Sequence, residues 1–299
     1  MRKIVLSLAA LLILTITAVY VFIPSQIIIK GKQMVYHPST SVIRGMMQTE
    51  KWSEWMPKEV EIKVLGSLVA TIQTSLMMDG VQIPVEFSIE NGESKNSIIG
   101  FETSMDNRQW SPIARVQYYI FAKRIQSKLD HVLEAAKNYY NYSKGIYGFE
   151  IIETKVKDSS LIAIDQTLKD TPSIAQIYQM VNQLEQYILT HNGKAKGAPM
   201  VNITRLDEKE VYTQVAIPLE RDIPVSGDFT IKKMVLGNLL SVEVQGDQAK
   251  VNAAFEATKL YINDKQKYSP AIPFIIYNTN RLLEKDASKW KSTINYPIF

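Results

Sequence analysis

Residues 149–299 carry one run of elements twice, and a duplicated unit narrows the accessible folds more than any composition does. In the first copy, Phe149–Val156 and Ser160–Gln166 have strand-like content, Ile174–His191 is helical, and Pro199–Thr204 and Glu210–Ile217 return to strand. In the second, Phe229–Val235 and Leu239–Gln245 lead into a helix over Lys250–Asp264, followed by strands over Pro273–Asn278 and Trp290–Ile298. The first helix carries Ile174, Ile177, Val181, Leu184 and Ile188, the second Val251, Phe255, Thr258 and Ile262. Both stripes step by three or four, as a helix lying on a sheet requires. Each helix is followed by a strand opening at a proline, Pro199 and then Pro273, 74 residues apart. Two copies are too few for a solenoid, which needs about three, so the expectation is one domain with internal pseudo-symmetry.

The chain upstream has a different plan. Gln26–Tyr36 reads as a strand, and His37–Ser41 as a turn with an N-cap before a short helix, Val42–Met47. From Glu59 to Asp106, four apolar runs alternate with Met78-Asp79-Gly80 and Glu90-Asn91-Gly92 turn signals, an antiparallel meander. Ser111-Pro112 then opens a long helix to about Tyr140, with Ile113, Val116, Ile120, Ile125, Leu129, Val132, Leu133 and Ala136 at helical spacing. Trp52 and Trp55, three apart, share a face of a helical turn, either as a plug packed on the sheet or as the rim of a cavity. The stretch Asn141–Gly148 reads as a linker. The predicted fold class is therefore α+β, with a first globular domain over 25–143 and a duplicated βαββ domain over 148–299.

Residues 1–24 precede both. Arg2 and Lys3 are followed by twenty uncharged residues, Ile4–Ile23, enough helix to span a bilayer's hydrocarbon core. A cleaved signal peptide has a shorter apolar region and a small-x-small site, which Val21–Ser25 lacks, so an uncleaved anchor is the reading. The soluble part is then expected on the periplasmic or extracellular side. Beyond Arg2 and Lys3 the chain holds 32 basic against 30 acidic residues, too weak a bias to imply nucleic acid. It has no cysteine, which removes disulfides and thiolate chemistry. His131 and Glu134 form the one ligand-compatible pair, short of a metal site, and no phosphate loop or hydrolase motif is present. No metal or cofactor is expected.

Two resemblances follow from these residues. A strand, short helices, a meander and a long closing helix, with Trp52-x-x-Trp55-x-Pro57 after the first strand, resemble bacterial SRPBCC, or START-like, helix-grip domains. The tandem units, with Pro199-Met200-Val201, Pro273–Asn278, Asp286–Trp290 and the closing Ile294-Asn295-Tyr296-Pro297-Ile298, resemble the GyrI-like (AraC-type effector-binding) domain. That second resemblance implies a cleft for small, often cationic lipophiles and, in some relatives, hydrolysis. Typical members place a glutamate two residues before the strand tyrosine. Here Ile275 holds that place before Tyr277, and isoleucine can neither neutralise a cation nor act as a base.

The expected function is binding of a small hydrophobic molecule, neutral or weakly polar, by a membrane-anchored protein with no helix-turn-helix segment for DNA. Tyr277, Ile275, Phe274, Phe255, Tyr178 and Trp290 are the expected lining. Glu243 is an inward-facing candidate acid if the register turns Val242 and Val244 outward. A hydrolase using such a carboxylate, and a scaffold for a partner protein, remain the alternatives; binding without catalysis is the leading reading.

Overall fold

A computed structural model describes residues 2–157 and 160–299. The chain is α+β and divides into two compact units, Met1–Ile146 and Tyr147–Phe299.

The first unit begins with helix α1, Arg2–Phe22, which is solvent-exposed in the structure and long and apolar enough to cross a membrane. Strand β1 (Gln26–Val35), helix α2 (Ser39–Met46), a 3-10 turn at Thr49–Glu54, strands β2 (Glu61–Leu68), β3 (Thr71–Met78), β4 (Val81–Asn91) and β5 (Ser97–Asp106), and helix α3 (Pro112–Asn141) follow. The sheet order is β1-β5-β4-β3-β2, antiparallel throughout, so the first strand pairs with the last of the meander. Ser111 caps α3 by accepting the Ala114 amide, with Pro112 at the first helical position, where its missing N–H costs nothing. Helix α3 lies on β1 and β5 and buries Ile125, Leu129, Val132, Leu133 and Ala136, while Ile113 and Ile120 of the same stripe stay exposed. The tryptophan pair is core rather than a cavity rim. Trp52 is fully buried, donates from Nε1 to the Met46 carbonyl at 2.8 Å and meets Phe87 edge-on at 5.5 Å; Trp55 is buried beside it.

Where the sequence predicts a linker, Ser143–Tyr147 forms a short helix, α4. Gly145 permits it, since a Cβ there would stand 2.9 Å from Tyr139 Cδ1. The chain then turns at Gly148, whose φ of 78° suits glycine.

The second unit comprises β6 (Ile152–Lys155), β7 (Ser160–Leu168), α5 (Ile174–Thr190), β8 (Met200–Arg205), β9 (Val211–Leu219), β10 (Thr230–Lys233), β11 (Asn238–Gln245), α6 (Gln248–Asp264), β12 (Phe274–Tyr277) and β13 (Lys291–Ile298). Its eight strands are ordered β10-β7-β9-β8-β12-β13-β11-β6. Exchanging each strand of the first copy for its counterpart in the second reverses this order and leaves it otherwise unchanged. That is the signature of a pseudo-twofold axis between β8 and β12, and each copy lends its first strand to the far edge of the other. Both helices are capped by the residue before them: Ser173 forms a reciprocal capping box with Gln176, and the Asp247 carboxylate accepts the Lys250 amide at 3.0 Å.

Helix α5 packs on β7 and β9, and α6 on β11 and β13. The two central strands are thereby left between the helices, and the fold acquires a cleft with β8 and β12 as its floor. The repeated prolines serve this seam. Having no N–H to place, they contribute carbonyls: Pro199 accepts from the Tyr277 amide at 3.0 Å, and Pro273 from Asn202 Nδ2 at 2.7 Å.

Candidate functional site

The cleft encloses about 650 Å³. Strand alternation decides what faces it: Val201 and Ile203 of β8 and Ile275 and Tyr277 of β12 rise from the floor, and Ile275 pairs directly with Val201. Ile174 and Ile177 at the start of α5 form one wall. Gln248, Asn252, Phe255, Glu256 and Lys259 of α6 form the other, with Phe255 set edge-on to Tyr296 at 5.6 Å. Trp290 closes one end, its Nε1 donating to the Glu284 carbonyl at 2.8 Å.

Of the residues expected from the sequence, Tyr277, Ile275, Phe255 and Trp290 line this cleft. Phe274 does not. It alternates with Ile275 and points to the other face of the sheet, against Leu161, Met200 and Ala216. Tyr178 lies behind the lining, its ring stacked on Tyr277 at 6.5 Å and its hydroxyl engaged on both sides: it donates to the Thr279 carbonyl (3.1 Å) and accepts the Arg281 amide (2.9 Å). Glu243 is exposed on β11 opposite Thr293, because Val242 and Val244 are the residues that turn inward. The one carboxylate among the described lining residues is Glu256, which forms an ion pair with Lys259 at 2.6 Å.

The residue that sequence reasoning passed over is Arg281. It lies four positions after Tyr277, is only 4% exposed, and lines the cleft. Its guanidinium carbon stands 3.8 Å from the centroid of the Tyr277 ring and 5.0 Å from that of Trp290. Nη1 donates to Gln248 Oε1 at 2.9 Å and Nη2 to Ser292 Oγ at 2.7 Å, while the buried Nε has no hydrogen-bond partner among the described residues. Burial lowers the Arg281 pKa, against the smaller opposing influence of Tyr277 and Tyr178. Burial likewise raises the Tyr277 hydroxyl's pKa, with Arg281 pulling the other way. Nothing in the local sequence marks Arg281, since it sits in a polar turn. The available signal is its proximity to Tyr277 and Trp290, two rings able to face a cation.

No family model matches the sequence, and no curated protein matches it. Among solved structures, the C-terminal domain of EcmrR is similar over 50% of this chain and 98% of its own, at 10% identity and a TM-score of 0.45. SAV2435 bound to tetraphenylphosphonium is similar over 50% of this chain and 94% of its own, at 17% identity and a TM-score of 0.33. A hydrolase from Listeria innocua is similar over 50% and 91%, at 8% identity and a TM-score of 0.38.

Proposed function

We propose that the chain is a membrane-anchored small-molecule-binding protein, and that the cleft of its second unit holds a ligand with a lipophilic body. The observation that carries this reading is the cleft itself. A pseudo-symmetric pair of helices leaves two central strands uncovered, and the floor so exposed is aliphatic and aromatic, bordered by polar side chains from Thr204 and Arg205 of β8 and Gln248, Asn252, Glu256 and Lys259 of α6. Its volume of about 650 Å³ falls within the roughly 300–1,000 Å³ of pockets for small organic molecules. The pseudo-duplicated topology, with prolines and tyrosine in the central strands, supports a GyrI-like assignment for the unit. In the first unit, the order β1-β5-β4-β3-β2 under one long helix supports the SRPBCC-like reading. Helix α1 supports anchoring, its uncharged span being that of a bilayer core.

Binding is favoured over hydrolysis because Glu256, the one acid among the described lining residues, is an exposed side chain in a surface ion pair with Lys259 rather than a buried carboxylate. Native mass spectrometry of the detergent-solubilised full chain tests the reading. A co-purified small molecule is expected, and it is expected to be absent from Asn252→Trp, which fills the cleft from an exposed position of α6. A mass free of adducts in the wild type, with no lipophile binding on addition, overturns it.

A further inference from the structure

A buried guanidinium without a carboxylate is a costly feature. Removing an ion from water costs several kcal/mol unless partners replace its hydration. Arg281 has two hydrogen bonds for five N–H groups, both to neutral acceptors, and the face of Tyr277. No carboxylate among the described residues is paired with it. The Nε–H is buried and has no hydrogen-bond partner among the described residues.

Two further observations give the cleft a sign. Its lining carries Arg205, Lys259 and Arg281 against Glu256 alone, and with Lys259 and Glu256 paired to each other, Arg205 and Arg281 are left in excess. Ile275, the floor position nearest in sequence to Tyr277 on the same face, contributes no charge. Arg281 also occupies the face of Tyr277 that an organic cation would need, so a cationic ligand would meet a like charge where it sought an aromatic ring.

We infer that the ligand of this cleft is an amphipathic monoanion, an apolar body ending in a carboxylate or similar oxyanion, with the oxyanion seated on Arg281 and the body on Val201, Ile203, Ile275 and Phe255. This rests on the reading of the cleft as a small-molecule site and assigns the headgroup chemistry that reading leaves open. The planar fork of arginine matches an oxyanion's geometry, and charge-assisted hydrogen bonds are about twice as strong as neutral ones. Tyr178 is a positioning residue, since its hydroxyl holds the backbone on either side of the turn that carries Arg281.

Three probes of one shape separate the possibilities: 2-naphthoate, 2-naphthylmethanol and 2-naphthylmethylammonium, titrated calorimetrically into the full chain in phosphatidylcholine nanodiscs, with empty nanodiscs as the blank. Naphthoate is expected to bind roughly tenfold or more tighter than the alcohol, with the ammonium weakest. Arg281→Met is expected to bring naphthoate down to the alcohol's affinity while the alcohol changes by no more than about threefold. Arg281→Lys keeps the charge without the fork and is expected to lose several-fold in naphthoate alone, so it decides the matter if the methionine variant does not fold. An alcohol that binds as tightly as naphthoate, or a preference that survives in the folded variants, overturns the acid assignment while leaving the cleft a binding site. Binding of any probe that Asn252→Trp fails to weaken, or no binding of any probe, overturns the cleft reading and this inference with it.

Discussion

Val201 and Ile275 are directly paired where β8 meets β12, and they are the same position of the repeat, 74 residues apart. The pseudo-twofold axis passes between them, so each of the two copies offers the floor of the cleft an aliphatic side chain at the point of closest approach. A carboxylate introduced at either place would enter the same space from opposite sides. Ile275→Glu and Val201→Glu are therefore both expected to weaken naphthoate binding by tenfold or more. Each should also lower stability by about 3 kcal/mol, the order expected for a poorly satisfied polar group in a buried position. Isothermal titration and urea unfolding check the pair. An effect at Ile275 without one at Val201 would mean that the ligand does not straddle the axis.

The repeat, the two helices and the succession of elements along each copy were legible because they rest on local period and on turn chemistry, as in the step from Ile174 to Ile188 and the prolines at 199 and 273. What brings Arg281 into the cleft was not. Its backbone is fixed by Tyr178, 103 residues earlier, and its side chain by Gln248 and Ser292, and no spacing rule joins those positions. Phe274 illustrates the reverse case. Strand alternation places it opposite Ile275 and Tyr277, so the period of two already assigned it to the other face. For Glu243 the register depended on which valines turned inward, a property of the pairing with β13 rather than of the segment.

Tyr178→Phe keeps the ring on Tyr277 and removes the hydroxyl that links α5 to the turn before β13. The Arg281 amide, buried at a residue only 4% exposed, would lose its acceptor, and the Thr279 carbonyl its donor. A buried group left unpaired costs about 1–3 kcal/mol. The melting temperature is expected to fall, and naphthoate affinity to fall further than that of the neutral alcohol, because the guanidinium loses its fixed position while the apolar floor is untouched. Equal losses for both probes would assign Tyr178 a purely structural role.

In the first unit, Gly31 pairs with Phe101 on the neighbouring strand, and the ring lies over the glycine so closely that a Cβ would stand 2.9 Å from Phe101 Cζ and 3.1 Å from Leu133 Cδ2. Gly31→Ala is expected to destabilise the unit by about 1–3 kcal/mol, the cost of overpacking a filled core. Gly66, which has open space around it, is the control, and Gly66→Ala should shift the urea midpoint far less.

The anchor is tested by charge. Leu8 and Leu12 lie within the apolar span of α1, exposed in the structure, so substituting them perturbs no packed core. A lysine at the centre of a membrane span costs roughly 2.5–3.5 kcal/mol on insertion, and Leu12 stands next to the middle of Ile4–Ile23 with Leu8 one turn before it. The wild-type chain is expected in the pellet after alkaline carbonate extraction, and the Leu8→Lys, Leu12→Lys double variant in the supernatant. A wild-type chain that is itself extracted would remove the anchor from the proposal.

Alkaline unfolding should be carried by buried tyrosines. Burial, and then the charge of Glu256, pushes the Tyr296 hydroxyl from its ordinary 10.0 up to about 12, and burial raises Tyr277 and Tyr178 in the same direction. The sign follows from linkage: below pH 10 these phenols are protonated in both states and stability is unaffected. Between pH 10 and about 12 the unfolded chain ionises them and the folded chain does not, so stability falls as pH rises through that window. Tyrosinate absorbance should therefore rise in two stages, exposed residues first and the buried set together with loss of structure. Tyr296→Phe is expected to move the alkaline midpoint upward, because it removes one proton that only the unfolded state releases. A midpoint that does not move would mean that another group governs the transition.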